Sequence, residues 1–237
     1  MITSLQNEQV KRAYKLKNKG GDNFILEDED LLNEAFKKGL VKEIFYTNPK
    51  YQDLKVPSYE VNEAIIKKLS YLSHPGGFVA ICQKFDNPKK GNLVIALDGI
   101  QDPGNAGTIL RSALAFGFEE MLLSEQSIDI YNDKFIRSTK GAFFHLPMKR
   151  LNLVEELKKR KEDGYKVVIL DLKNNSITLD ELAKSGKMIV VVGSEGQGIS
   201  KEVAKLADII VMIPISKDME SLNAGVAASL AMYHLKK

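Results

Sequence analysis

The sequence predicts an α/β protein in two parts, a small mixed α/β domain followed by a larger domain built on a mainly parallel sheet. Three observations carry this. Apolar runs at residues 93–97, 120–123, 167–172, 188–192 and 209–213 alternate with stretches of helical periodicity, the pattern of strands joined by helical crossovers. One run, Met188-Ile189-Val190-Val191-Val192, lacks any apolar–polar alternation, as expected of a strand covered on both faces. The polar stretch Asn87-Pro88-Lys89-Lys90-Gly91-Asn92 separates two apolar runs and reads as a linker, because proline and glycine interrupt regular structure.

Ahead of the linker the elements are short. Residues 6–17 read as a basic helix, 24–27 as a strand, 30–38 as a helix, 41–47 as a strand, 61–69 as a helix and 77–83 as a closing strand. The expected division is therefore a first domain of residues 1–88 and a second of residues 92–237.

Composition excludes several classes. Hydrophobic residues make up 44% and charged residues 27% of the 237, ordinary values for a soluble globular chain. No apolar run approaches the ~20 residues that span a bilayer. The opening MITSLQNEQVKRAYKLKNKGG lacks the apolar core of a secretory signal, so a cytoplasmic protein with no membrane segment is expected. Cys82 stands alone and His74, His145 and His234 are scattered, which leaves no disulfide framework and no expected metal site.

The net charge of +3 is unevenly placed: residues 1–90 carry 15 Lys and Arg against 12 Asp and Glu. Lys11, Arg12, Lys15, Lys17 and Lys19 fall in a stretch without an acid. Such a stretch can meet phosphates and release their counterions, and from charge alone it also reads as a solvated helix face. Lys11, Arg12 and Lys15 are the candidate phosphate contacts of this stretch.

Ligand sites of open parallel sheets gather beyond the carboxyl ends of strands, and three such ends are chemically unusual. In LDGIQDPGNAGTILRSALAFG, residues 97–117, a Pro-Gly turn follows the strand and Asn105 is placed to cap a helix. Helical spacing sets Gly107, Thr108 and Ala115 beside Arg111, so Arg111 projects from a face of small residues, and Ile109, Leu110, Ala113 and Phe116 are expected to meet the core. In VVVGSEGQGIS, residues 190–200, glycines let the backbone turn and approach a ligand, and Ser200 is placed to cap the next helix. The order G-x-x-G-x-G is not the dinucleotide fingerprint, and Glu195 would repel a pyrophosphate. In VMIPISKDMESLNAGVAASLAMYHL, residues 211–235, Ser221-Leu222-Asn223 begins a helix, with Ser221 as a possible cap. Leu222, Val226, Leu230 and Tyr233 form its apolar stripe, and its small residues permit close packing against another helix.

Taken in order, these segments resemble the three motifs of the SpoU/TrmH family, ribose 2′-O-methyltransferases of the wider SPOUT class. The first motif matches through Asn105, Gly107 and Arg111-Ser112, the second as Gly193-x-Glu195-Gly196-x-Gly198, and the third as Ile213-Pro214 followed by Ser221-Leu222-Asn223. Arg137-Ser138-x-x-Gly141-Ala142 with Leu146-Pro147 is a subsidiary match, and Ser73-His74-Pro75-Gly76-Gly77 resembles the turn that often ends the family's substrate-binding domain.

The resemblance implies a catalytic domain with a deep trefoil knot, an N-terminal domain that binds the RNA substrate, and a homodimer using S-adenosylmethionine. It implies cofactor contacts, largely through backbone, at Gly193, Ile213 and Leu222. It implies a reaction centre of Asn105, Arg111, Glu195, Ser221 and Asn223. The substrate would be ribosomal or transfer RNA, with ribosomal RNA favoured by the separate N-terminal domain. Competing readings are a non-catalytic RNA-binding protein on the same scaffold and a nucleotide-dependent oxidoreductase, the latter disfavoured by the glycine order and Glu195.

Overall fold

A computed structural model describes residues 1–86, 89–172 and 176–236; Asn87 and Pro88 of the expected linker lie outside the described residues. Two compact units result, Met1–Phe85 and Asp86–Lys237.

In the first unit, Asn7 turns its side-chain oxygen onto the backbone N–H groups of Gln9 and Val10 and starts helix α1 (Glu8–Lys19), which Gly20 ends at φ 68°. Strand β1 (Asn23–Leu26) follows. Helix α2 (Glu29–Lys37) comes next, capped by Asp28. Strands β2 (Val41–Tyr46) and β3 (Ser58–Glu60) come before helix α3 (Glu63–Leu69) and strand β4 (Phe78–Gln83). The sheet order is β1-β4-β2-β3, with only the β2–β3 pair parallel. Strand β3 is an addition to the expected elements. The third helix starts later than expected because Val61 bridges to Ile2 and Asn62 is the N-cap. Val10 and Ala13 of α1 pack with Ile65, Ile66 and Leu69 of α3 over Phe45, Val79 and Ile81 of the sheet.

The second unit carries β5 (Leu93–Asp98), α4 (Pro103–Ala115), β6 (Glu120–Ser124), α5 (Asp133–Ser138), β7 (Met148–Leu151) and α6 (Leu153–Glu162). Next come β8 (Tyr165–Leu170), β9 (Ile177–Thr178), β10 (Lys187–Gly193), α7 (Lys201–Ala204), β11 (Ile209–Met212) and α8 (Ala224–Leu235). All seven strands are parallel in the order β7-β6-β5-β10-β8-β11-β9. Met188 to Val192 of β10 are buried, as their unbroken apolar run predicts. The short β7 and β9 are additions to the expected strands. Succession runs outward from β5 through β6 and β7, while β10 lies on the other side of β5, so the sheet reverses direction between β5 and β10. Such switch points are where open sheets collect ligands, and here Asp98 and Gly193 stand opposite one another at that crevice.

Helices α4 and α8 pack closely through small residues. A Cβ on Gly225 would lie 3.2 Å from Thr108, and the Ser112 and Ser229 hydroxyls hydrogen-bond at 2.7 Å. The expected apolar stripe of α8 is corrected: the helix buries Ala224, Gly225, Ala228, Ala231, Met232 and Leu235 and exposes Val226, Leu230 and Tyr233. Leu222 precedes the helix. Backbones can approach only across a face of small residues, so that face turns inward and the bulky one outward. Among the described residues no helix is long and apolar enough to cross a membrane. Cys82 is buried, which pushes its thiol up to about 12.

Candidate functional site

The crevice at the β5–β10 switch is closed by backbone rather than by side chains. Asp98 is buried at the end of β5 and its carboxylate accepts the Ser200 backbone N–H at 2.7 Å. That bond draws the loop after β10 back over the strand end. Within the loop the Gly198 N–H donates to the Ser194 carbonyl at 2.8 Å, with Gly198 at φ 66°. A Cβ on Gly193 would meet the Gly198 carbonyl carbon and oxygen at 2.2 Å. Gly193 is thus required by the loop's own backbone crossing above it, whereas the sequence reading assigned its missing Cβ to a ligand. Ser200 stands before α7 but its side chain makes no capping bond.

Helix α4 starts differently from the expectation. Asp102, not Asn105, is its N-cap: the Asp102 carboxylate accepts the Asn105 backbone N–H at 2.7 Å, and Pro103 follows in the first turn, the position where a missing N–H costs nothing. The Asn105 side chain is therefore released. Its amide donates to Glu195 Oε1 at 2.9 Å, and its oxygen accepts from Asn223 Nδ2 at 2.8 Å. Asn223 Nδ2 also donates to the same Glu195 oxygen at 2.7 Å, while Asn223 Oδ1 caps α8 through the Gly225 and Val226 N–H groups. The Ala224 N–H reaches Glu195 Oε1 at 3.2 Å. A carboxylate only accepts hydrogen bonds, so Glu195 dictates which way both amides face. The positive end of α8 adds further attraction for its charge.

Beside Glu195 opens a cleft between the carboxyl ends of β8, β10 and β11 and the loop before α8. Gly193, Ile213, Ser221 and Leu222 line it together with Glu195, and Leu170, Met212 and Ile215 make its walls apolar. Among the described residues that line it there is no lysine or arginine, whereas Asp171 and Glu195 are acidic. A pyrophosphate would find no cation there, and a neutral heteroaromatic ring with a cationic tail fits the lining. Glu195 also borders a second, polar cleft, with Asn105, Asp102 and Gln197. Its carboxylate therefore borders both an apolar cleft and a polar one.

These facts bring Asn105, Glu195 and Asn223 into direct contact and set Gly193, Ile213, Ser221 and Leu222 around the adjoining cleft. Ser221 is exposed and precedes the cap, Asn223. Arg111 is exposed on α4, and its guanidinium makes no ion pair or hydrogen bond with the described residues, Asn105, Glu195 and Asn223 included. Nearby, Gly107 lets α5 approach, since a Cβ there would lie 2.0 Å from the Ser138 hydroxyl.

Residues 92–233, which hold every element of this site, match the model of the SpoU rRNA Methylase family. The chain belongs to that family. This SpoU chain is 32% identical, over 99% of its length and 98% of the relative's, to 23S rRNA (guanosine(2553)-2′-O)-methyltransferase RlmP of Bacillus subtilis. It superposes with a TM-score of 0.85 at 27% identity on an AdoMet-bound rRNA methyltransferase from Sinorhizobium meliloti, covering 99% of this chain and 96% of the other. An RNA 2′-O ribose methyltransferase superposes with a TM-score of 0.79 at 26% identity, over 99% and 97% of the two chains.

In the first unit of this SpoU protein, the three basic candidates differ. Lys11 pairs with Glu8 at 3.2 Å, and Arg12 pairs with Glu43, a buried residue of β2. Burial pushes the Glu43 carboxyl up, against the pull of Arg12, so Arg12 answers a structural charge. Lys15 is exposed. Sequence reasoning missed Asp98 and Asp102, which shape the loop and free Asn105. Asp102 carried a readable signal, an Asp directly before a helix-opening proline.

Proposed function

We propose that this protein transfers a methyl group from S-adenosylmethionine to a ribose 2′-hydroxyl of ribosomal RNA. The observation that carries the reading is the closure of three separate motifs, Asn105, Glu195 and Asn223, on one carboxylate at the mouth of an apolar cleft. S-adenosylmethionine supplies a methyl group already activated by a positively charged sulfur. Gly193, Ile213 and Leu222 would hold it through backbone groups, and Glu195 places its carboxylate at the cleft edge.

The remaining work is to align the hydroxyl and stabilise charge as it develops. Guanidinium holds its protons too firmly to act as a base near neutral pH. Arg111 therefore stabilises the forming oxyanion and grips the neighbouring phosphate through its planar fork, and the proton leaves through water or phosphate. Asn105 and Asn223 fix Glu195, and Ser221 lines the cleft beside it. Residues 1–88 serve as the RNA-binding domain, with Lys15 a stronger candidate for phosphate contact than the acid-paired Lys11 and Arg12, and residues 92–237 as the catalytic domain.

The catalytic domain carries a trefoil knot in this reading, on the strength of the family and of a chain that returns from β11 to lay α8 against α4. The functional form is a homodimer in the cytoplasm. Leu114, Val226, Leu230 and Tyr233 are exposed, and the Tyr233 ring stands edge-on to Phe116 at 5.6 Å, an apolar surface suited to a second copy. Mapping ribose methylation of ribosomal RNA in cells with and without the gene tests the function. One 2′-O-methyl mark should vanish with the gene, and an unchanged map would contradict the proposal.

A further inference from the structure

Helices α1 and α3 bring two acid-free stretches of the chain together. Neither residues 9–21 nor residues 64–85 contain an Asp or Glu. The carboxyl ends of the two helices meet where Lys17 Nζ donates to the Lys68 carbonyl at 3.1 Å and to the Ser70 carbonyl. Lys15, Lys19, Lys67 and Lys68 are exposed around that junction. Lysines at helix C-termini are explained in part by the helix dipole, but the dipole does not account for the aromatic rings standing among them.

Tyr14 is 37% and Tyr71 41% exposed. Lys68 Nζ lies 4.4 Å from the Tyr14 ring centre and Lys17 Nζ 5.3 Å from that of Tyr71. The Tyr71 ring is held in place, since its hydroxyl donates to the Lys17 carbonyl at 2.9 Å and its backbone N–H to Glu27 at 2.7 Å. Glu27 is buried and also accepts the Ser70 hydroxyl, so this carboxylate is turned inward. The face that results joins two accessible rings, one of them anchored, to a cluster of lysines with no competing acid from either stretch.

We infer that Tyr14 and Tyr71, flanked by Lys15, Lys17 and Lys68, form a stacking platform for unpaired nucleotides of the RNA substrate. The inference rests on the RNA-modifying role proposed above and adds to it a surface and a preference. Every base has a face that can stack on the side of a ring that its lysine leaves uncovered. The exposed Lys15 and Lys68 can reach the backbone phosphates, while Lys17 stays held by two carbonyls. A duplex hides its base faces and would use the lysines alone.

The test measures binding of the full chain to a short single-stranded RNA of mixed sequence and to the same sequence as a perfect duplex. The parent protein is expected to prefer the single strand. Tyr14→Leu and Tyr71→Leu should each lower single-strand affinity by roughly tenfold, the scale of one lost base stack, with duplex affinity unchanged. Tyr14→Phe, which keeps the ring, should bind like the parent. Leucine variants that bind the single strand like the parent, or that lose both RNAs equally, would overturn the inference. S-adenosylmethionine binding by the same variants is expected to be unchanged. A parent protein that bound no S-adenosylmethionine would count against the methyltransferase reading and leave the stacking result standing.

Discussion

Asn223 holds Glu195 with its side-chain amide at 2.7 Å while its side-chain oxygen caps α8. One residue therefore joins helix stability to the geometry of the proposed reaction centre, and Asn105 shares only the second task. Asn223→Ala should cost about 1 kcal/mol through the lost cap and also slow methyl transfer. Asn105→Ala should slow transfer with stability within ~0.5 kcal/mol of the parent, the usual range for a surface change. Urea unfolding beside single-turnover rates checks this, and equal destabilisation by both variants would count against the division of labour.

Gly193 separates a loop requirement from a ligand requirement. With a Cβ 2.2 Å from the Gly198 carbonyl, even Gly193→Ala should force the loop open, lowering thermal stability and S-adenosylmethionine affinity together. Glu195→Gln should retain the cofactor and impair transfer, if its carboxylate orients the proposed reaction centre through Asn105 and Asn223. Calorimetric titration of both variants gives the comparison. A Gly193→Ala protein with parental stability and binding would remove the loop from the account.

Much of this site was legible in the sequence, and the misreadings have physical causes. The buried run of β10 and the order of the three motifs needed only local patterns. The cap at α4 was misplaced because Asp102 and Asn105 are both good N-caps three residues apart, and only the structure shows which backbone N–H each one meets. The stripe of α8 was inverted because periodicity ranks residues by apolar size, while the packing against α4 selects small ones. Strands β3 and β9 were too short to display alternation. Tyr14 and Tyr71 are far apart in sequence, and their common face exists only because α1 packs beside α3.

The outward face of α8 makes an assembly prediction. Leu230→Glu places a charge on an already exposed position, so the fold should hold. Light scattering should give twice the 26.4 kDa chain mass for the parent and the single-chain mass for the variant. A parent protein that is monomeric at every concentration would contradict the proposed dimer.

Arg111 has no partner among the described residues, so its replacement should leave the fold intact. Arg111→Ala should keep cofactor binding and lower transfer by at least ~10²–10³-fold, the scale of one lost transition-state donor. Arg111→Lys should restore little, because one ammonium cannot reproduce a planar fork. Near-parental turnover by either variant would take Arg111 out of the mechanism.

Methyl transfer to a ribose oxygen is read from the position that the transferred label takes. Ribosomal RNA lacking the modification is incubated with the protein and methyl-labelled S-adenosylmethionine, then hydrolysed in alkali. Alkaline cleavage needs a free 2′-hydroxyl, so a 2′-O-methyl group protects the adjoining phosphodiester bond. Label is expected in alkali-resistant dinucleotides with the parent protein and is expected to be lost with Arg111→Ala. Label released only in mononucleotides would place the methyl on a base, and no incorporation would deny the transfer; either result would contradict the claim.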